Sequence, residues 1–144
     1  MDHLAIMKKD WGLTQKILSG QKKIESRWYK VKYSPWYKIK ANDTIYFKNT
    51  GEPVTIKATV KKVLQFSDLT PKLVEQLLYK YGPRDGLGID DLAKYFSMFK
   101  DKKYCIFVFL KNPQKVKPFD IDKTGYGAMS AWISVKNINM IKKQ

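Results

Sequence analysis

The chain has 144 residues, a net charge of +15 and a hydrophobic content of 44%. That length suits one domain with its own core, and the apolar and aromatic content excludes an intrinsically disordered chain. No apolar run approaches the roughly 18 residues needed to span a bilayer, and residues 1–9 lack the order of a signal peptide. We therefore expect a single domain over residues 1–144 that is cytoplasmic and does not contact a membrane.

The excess of basic residues indicates a polyanionic partner, either a nucleic acid or an anionic membrane surface. Of the 28 basic residues only Arg27 and Arg84 are arginine, and the rest are lysine. Lysine enrichment also arises as plain solubilising charge, as in the proteins of AT-rich genomes. An arginine retained in such a background favours a planar, bidentate contact.

The chain contains one cysteine and one histidine. This nearly excludes a zinc site of the His/Cys type and leaves no disulfide framework. Cys105 lies in an apolar run, where an inert core thiol is expected. His3 lies close to the terminus, so we expect no Ser–His–acid set. We predict no cofactor and no metal, with a weak carboxylate-bound magnesium left open.

The first predicted element is a short helix, Leu13–Ser19, which ends at Gly20. A strand over residues 23–29 follows it. Because side chains alternate between the faces of a strand, Glu25 and Arg27 share one face. A carboxylate beside a guanidinium forms a polar cluster suited to an anionic or hydrogen-bonding ligand, or else a plain ion pair on the surface.

The next part of the chain predicts a loop and two strands. Residues 33–40 contain a proline and show no periodicity, so we expect a loop. Residues 43–48 predict a strand, and a long strand begins at Val54 after a turn. The alternation of that strand slips near residues 61–62, which indicates a bulge. Long, bent strands are typical of small closed barrels.

The second half begins with two predicted helices. Residues 70–81 form the clearer one, with Thr70 as the cap and Pro71 at the first helical position. A shorter helix is expected over residues 89–99. The glycine-rich segment between the two helices lacks the pattern of a phosphate-binding loop, so we expect an ordinary connection.

Two strands close the predicted order. Residues 104–110 form a continuous apolar run and predict a central strand. Residues 112–119 contain two prolines, so we expect them to be irregular or to lie at a sheet edge. Residues 131–135 predict a last strand. The order of elements indicates an α+β fold built around a small β-barrel with peripheral helices.

A short motif gives the most specific signal. Residues 20–27 read G-x-K-x-x-E-x-R, with Gly20, Lys22, Glu25 and Arg27 at the defining positions. Together with the helix before it, this resembles the signature of ASCH domains, members of the PUA-like superfamily. The resemblance implies a barrel of five to six strands with two to three helices. It also implies a cleft beside the motif strand that takes RNA or a nucleotide.

On this resemblance we predict RNA, single-stranded or structured, as the partner. Arg27 either contacts the ligand or only pairs with Glu25, and Lys22 is a phosphate contact, a nucleophile or base, or one more solvated lysine. Aromatic side chains near the motif either stack on bases or belong to the core. The candidate nucleic-acid-binding residues are Lys22, Glu25, Arg27, Tyr29, Trp36, Tyr37, Lys48 and Tyr126.

Three functions therefore remain open: an RNA-binding module, an enzyme acting on RNA or a modified nucleoside, and a protein-interaction domain. A basic path into the cleft would favour the first, and a buried lysine beside a hydroxyl and a carboxylate the second. An apolar patch with evenly spread charge would favour the third. In relatives that hydrolyse acetylcytidine, a threonine follows the motif lysine by three residues. Glu25 takes that place here, so we expect no such activity.

Overall fold

The computed structural model describes residues 1–144, apart from the side chain of Ile89. The predicted helices and strands are present, with bounds that differ by a few residues from those expected. The chain also contains a strand near its start that the sequence did not predict. The elements are β1 Asp2–Met7, α1 Leu13–Ser19, β2 Ile24–Tyr29, β3 Thr44–Asn49, β4 Val54–Phe66, α2 Pro71–Tyr81, α3 Leu92–Phe99, β5 Tyr104–Phe119 and β6 Trp132–Val135.

The six strands form one curled sheet in the order β2-β5-β4-β3-β1-β6. Neighbouring strands are antiparallel except β1 and β3, which run parallel. The strands β2 and β6 are the two edges of the sheet, and the curl brings these edges towards each other as in an incomplete barrel. The predicted α+β class with a small PUA-like barrel is confirmed.

Three apolar clusters hold the sheet in place. One fills the inside of the curl and receives side chains from five strands, from α1 and from the loop after β2. A second lies between the outer face of β2 and β5 and the helices α2 and α3. A third covers β1 and β6 with residues near the end of the chain. Both faces of the sheet are therefore covered over much of its area.

The strand β5 runs further than the sequence predicts. Residues 104–109 pair with β2 on one side and β4 on the other, whereas the later residues pair only with β4. This half is an edge, which explains how Pro113 and Pro118 are tolerated in a strand. Asn112 adopts a positive φ of 52° where the pairing register is irregular. The expected bulge in β4 is confirmed by a register shift between Val60 and Lys62.

The helices are short and peripheral. Thr70 caps α2 by accepting a hydrogen bond from the backbone N–H of Leu73, as its position predicts. The segment before α3 is a single 3₁₀ turn, Ile89–Asp91, so the α-helical part begins only at Leu92. Within the described part of the chain, no helix is long and apolar enough to cross a bilayer.

Candidate functional site

The site is built around the motif strand β2, which is an edge of the sheet. Ile24–Tyr29 pair with β5 on one side only, so the other side faces the opposite sheet edge, β6. Alternation along β2 puts Glu25, Arg27 and Tyr29 on the face that lines the cavities at this gap, and Trp28 on the face covered by the helices. The gap between β2 and β6, which we call the seam, is where a ligand can reach the motif.

Arg27 bridges the seam. Its Nη1 donates to the carbonyl of Ala131 at 3.3 Å and its Nη2 to the carbonyl of Ile6 at 3.4 Å. The guanidinium also lies 5.1 Å from the ring of Trp132 in β6 and pairs with Glu25 at 3.3 Å. These hydrogen bonds are at the long end of the usual range, so a ligand oxygen would compete well for the same donors.

Two cavities open on either side of this guanidinium. The larger, of about 480 Å³, is lined by Arg27, Tyr29, Tyr33, Ser130 and Trp132 among others. The smaller, of about 260 Å³, has mostly aromatic and apolar walls and is also lined by Glu25 and Ser26. Both share Arg27 and Ala131 as a wall. Cavities of this size, with a few polar groups on apolar walls, are typical of small-ligand sites.

Beneath the smaller cavity lies a buried polar network centred on Lys22. Its side chain is only 1% exposed, and its Nζ donates to the carbonyls of Ile24 and Asp85, each at 2.6 Å, and to the Asp85 carboxylate. Glu25 Oε1 lies 3.4 Å from the same nitrogen. Ser26 Oγ donates to the other Asp85 oxygen and accepts from the indole N–H of Trp28. A buried lysine is thus present beside a hydroxyl and carboxylates.

The charges of this network determine what Lys22 can do. Burial by itself lowers the pKa of Lys22, but the carboxylates of Asp85 and Glu25 outweigh it, and the pKa is raised above its ordinary value. A raised pKa favours the protonated ammonium, which is a poor base and a poor nucleophile. Formally, two cations, Lys22 and Arg27, balance two carboxylates in one contiguous group.

The turn between α2 and α3 positions Asp85 and explains the network. Its Arg84 carbonyl accepts hydrogen bonds from the backbone of Lys23 and Ile24, at 2.6 and 2.9 Å. Gly86 adopts φ +81°, and a Cβ placed there would lie 3.3 Å from Lys22. Glycine at this point allows the turn to approach the motif closely. The sequence did not assign Asp85 to the site, and its only signal is an acidic residue inside a glycine-rich turn.

The structure distributes the predicted binding residues unevenly. Glu25, Arg27 and Tyr29 line the cavities at the seam. Burial raises the pKa of Tyr29 to about 12, and its hydroxyl donates to the carbonyl of Ser34. Lys22 lies beneath the seam and is closed to solvent. Lys48 follows the inward-facing Phe47 on β3, so it points to the opposite face of the sheet.

The remaining predicted residues are aromatic. Trp36 is buried and packs edge-on against Tyr104, while its neighbour Tyr37 is 70% exposed. The carbonyl of Tyr126 accepts a hydrogen bond from Ser130 Oγ, in the turn that borders the larger cavity. Their roles in binding stay predictions. Trp132 lines that cavity together with Ser130 and was not among the predicted residues.

The expectation that the chain has no Ser–His–acid set is wrong, because the structure brings a serine, the histidine and an aspartate into contact. His3, in β1, is fully buried, with Nδ1 2.8 Å from Ser134 Oγ and Nε2 2.9 Å from Asp43. The indole N–H of Trp132 also points at Nδ1, at 3.2 Å, which assigns the proton to Nε2. His3, Ser134 and Asp43 are not among the residues that line the two cavities at the seam. We regard them as a structural link between β1, β6 and the start of β3.

Comparison with known proteins agrees with this architecture. No protein-family model and no curated protein matches the sequence. The ASCH protein of Zymomonas mobilis superposes with a TM-score of 0.66 over 99% of this chain and 96% of its own, at 15% identity. A variant of that protein gives a TM-score of 0.67 at 16% identity, over 96% and 91% of the two chains.

This chain has the ASCH-domain fold. The resemblance read from the motif is thereby confirmed at the level of fold. A further structure, the hypothetical protein PH0355, has a TM-score of 0.53 at 19% identity, over 81% of this chain and all of its own. At sequence identities this low, structural similarity shows only a shared fold. Function therefore has to be argued from the residues at the seam.

Proposed function

We propose that the protein binds RNA or a nucleotide at the seam between β2 and β6. The observation that carries this proposal is that one guanidinium separates two ligand-sized cavities with aromatic walls. Arg27 supplies planar, charged donors, and Tyr29 and Trp132 supply ring surfaces against the larger cavity. That combination suits a group with both an aromatic base and an anionic phosphate.

The experiment that tests it compares the only two arginines. We expect Arg27→Lys to weaken binding of a labelled single-stranded RNA by about 1–3 kcal/mol, since a point charge cannot replace a bidentate fork. Arg84→Lys is the matched control, because Arg84 is exposed and packs on Tyr81 and Phe109, away from the seam. Affinity is read by fluorescence anisotropy, and circular dichroism checks the fold.

Equal affinity of Arg27→Lys and wild type would make Arg27 a structural bridge only. Loss of the fold in Arg27→Lys would also contradict a primary role in ligand binding, because the bridge would then be its main function.

Catalysis on a modified nucleoside is the second candidate, and the buried Lys22–Asp85–Ser26 contact is the observation that favours it. Three observations argue for binding instead. The pKa of Lys22 is raised despite its burial, the Ser26 hydroxyl already donates its hydrogen bond to Asp85, and the space beside them is only about 50 Å³. We expect purified protein to release no cytidine from acetylcytidine above background. Chromatography of the products measures this. Release that disappears in a Lys22→Ala variant shown by circular dichroism to be folded would move the enzyme to first place.

A further inference from the structure

The loop after β2 has features that the seam does not require. Residues 30–40, which we call the aromatic–basic loop, contain four lysines and no acidic residue. Three large side chains of this loop are exposed to solvent although burial would stabilise the fold. They are Val31 at 56%, Tyr33 at 65% and Tyr37 at 70% exposure.

The loop is continuous with the larger cavity. Tyr33 and Ser34 line that cavity, and the ring of Tyr33 lies 6.1 Å from the ring of Tyr29. Lys38 Nζ donates to Ser34 Oγ at 3.0 Å, which brings a cation to the cavity rim. A chain that leaves the cavity on this side therefore meets the exposed rings and lysines of the loop.

Two consecutive residues of the loop carry a cost in stability. Tyr37 has a φ of 62°, a left-handed conformation that bulky side chains rarely adopt, and its N–H is held by Gln65 Oε1 at 3.0 Å. Trp36 Nε1 is buried without a hydrogen-bond partner, alone in this respect among the described side chains. Backbone strain of this kind clusters at active sites and ligand-binding sites. A strained backbone that holds an exposed aromatic ring points to a ligand for that ring.

The charges beside the ring fit a nucleic acid. Lys32 Nζ lies 5.4 to 5.8 Å from the rings of Trp36, Tyr37 and Tyr104, so cation–π attraction holds it next to the exposed tyrosine. Exposed rings interleaved with cations stack on bases and neutralise phosphates of single strands. In a duplex the faces of the bases are already covered by their neighbours.

We propose that the aromatic–basic loop is a second subsite, at which Tyr33 and Tyr37 stack on bases of single-stranded RNA that flank the nucleotide in the seam. The inference rests on the proposed function. It adds that the ligand is an oligonucleotide with unpaired bases, and it names the direction in which the strand leaves the larger cavity.

The test separates the two subsites by ligand length. Labelled RNA of about two and about eight nucleotides, and a duplex of the longer sequence, are titrated by anisotropy. We expect the longer strand to bind about tenfold more tightly than the shorter one, and more tightly than the duplex. Tyr37→Gly should lose about tenfold affinity for the longer strand and leave the shorter one unchanged. Its Tm should stay close to wild type, since glycine accepts the positive φ.

Two further variants complete the design. Tyr37→Phe keeps the ring and should bind as wild type does. Tyr79→Ala removes a tyrosine of similar exposure, 64%, on α2 and should change nothing. Equal loss in Tyr37→Gly and Tyr79→Ala, or unchanged affinity of Tyr37→Gly for the longer strand, would overturn the inference. So would duplex binding equal to that of the single strand.

A last measurement tests whether the loop binds a membrane surface instead, using vesicles that contain anionic lipid. Vesicle binding that Tyr37→Gly abolishes, with RNA affinity unchanged, would assign the loop to a membrane surface and overturn the inference. If the short RNA binds and the longer strand binds no more tightly, the inference is overturned but the proposed function is not. Failure of both RNA lengths to bind overturns the proposed function as well.

Discussion

Lys22 is a motif residue whose ammonium faces only protein oxygens. Its three close acceptors come from Ile24 and Asp85, with Glu25 slightly further away, and solvent is excluded from the group. Asp85 itself is buried, and burial raises the pKa of this carboxyl despite the opposing charge of Lys22. The two groups therefore depend on each other, because either one alone would be an uncompensated buried charge.

We predict that Lys22→Met lowers the free energy of unfolding by about 3–5 kcal/mol, because it leaves Asp85 buried without its cation. Urea denaturation measures the change. Lys23→Met is the matched control, since Lys23 is the exposed neighbour in sequence. Adding Asp85→Asn to Lys22→Met should recover part of the loss. An unchanged midpoint in Lys22→Met would show that the lysine is not the counter-charge.

Sequence reasoning identified the motif residues at this scale but not their surroundings. Glu25 and Arg27 were placed on one face by alternation alone, and they lie there. The burial of Lys22 could not be predicted, because it depends on Asp85, which is distant in sequence and is brought in by a turn between helices. A glycine-rich turn with one acid gives no local sign that the acid points inwards.

At the scale of elements, β1 is the strand that the sequence did not predict. Its burial pattern is nearly continuous, because the inner cluster covers one face and the third cluster the other. A strand buried on both faces lacks the alternation by which strands are recognised. The second half of β5 was also left open, since its prolines conceal a strand that pairs on one side only.

The pairing of β1 with β3 and β6 includes the buried His3. Burial lowers the pKa of His3 below its ordinary value of 6.5, as does the N-terminal ammonium, whereas the carboxylates of Asp43 and Asp2 oppose this shift. The unfolded chain regains the ordinary pKa and therefore binds more protons at mildly acidic pH. Stability then falls as the pH drops through the region below 6.5.

We predict that wild type loses stability as the pH falls below 6.5, with a slope that this one group limits to at most about 1.4 kcal/mol per pH unit. His3→Gln should flatten the slope, whatever its effect on stability at neutral pH, because His3 is the sole histidine. Asp43 also has a lowered pKa, against the effect of its burial, because His3 and the N–H of Lys40 donate to it, but its loss of stability lies at lower pH. The measurement is urea denaturation between about pH 5 and 7. Identical slopes in wild type and variant would assign the acid sensitivity to other groups.

At the scale of the whole molecule, the charge of +15 is the property most open to direct test. If the protein binds RNA, log affinity should fall linearly with log salt, by about 0.7 for each phosphate contact to a single strand. Lys38→Gln, at the rim of the larger cavity, should reduce the slope by about 0.7. Lys72→Gln, on the exposed side of α2, should not.

Undetectable RNA binding at low salt would mean that the positive charge serves only solubility, and it would favour a protein partner. The two lysine variants separate binding at the cavity from general attraction to a basic surface. General attraction would lower the salt slope equally in Lys38→Gln and Lys72→Gln.

The order of the strands in the sheet also bears on how the protein is made. β1 is synthesised well before one of its two neighbours, β6, and the motif strand β2 well before its partner β5. On a ribosome, β1 and β2 therefore emerge with unpaired backbone edges, and Lys22 emerges before the acid that balances it. Such edges are open to pairing with other chains until the later strands arrive. The seam is complete only when β6 has left the exit tunnel, so the two sides of the candidate site are made far apart in time.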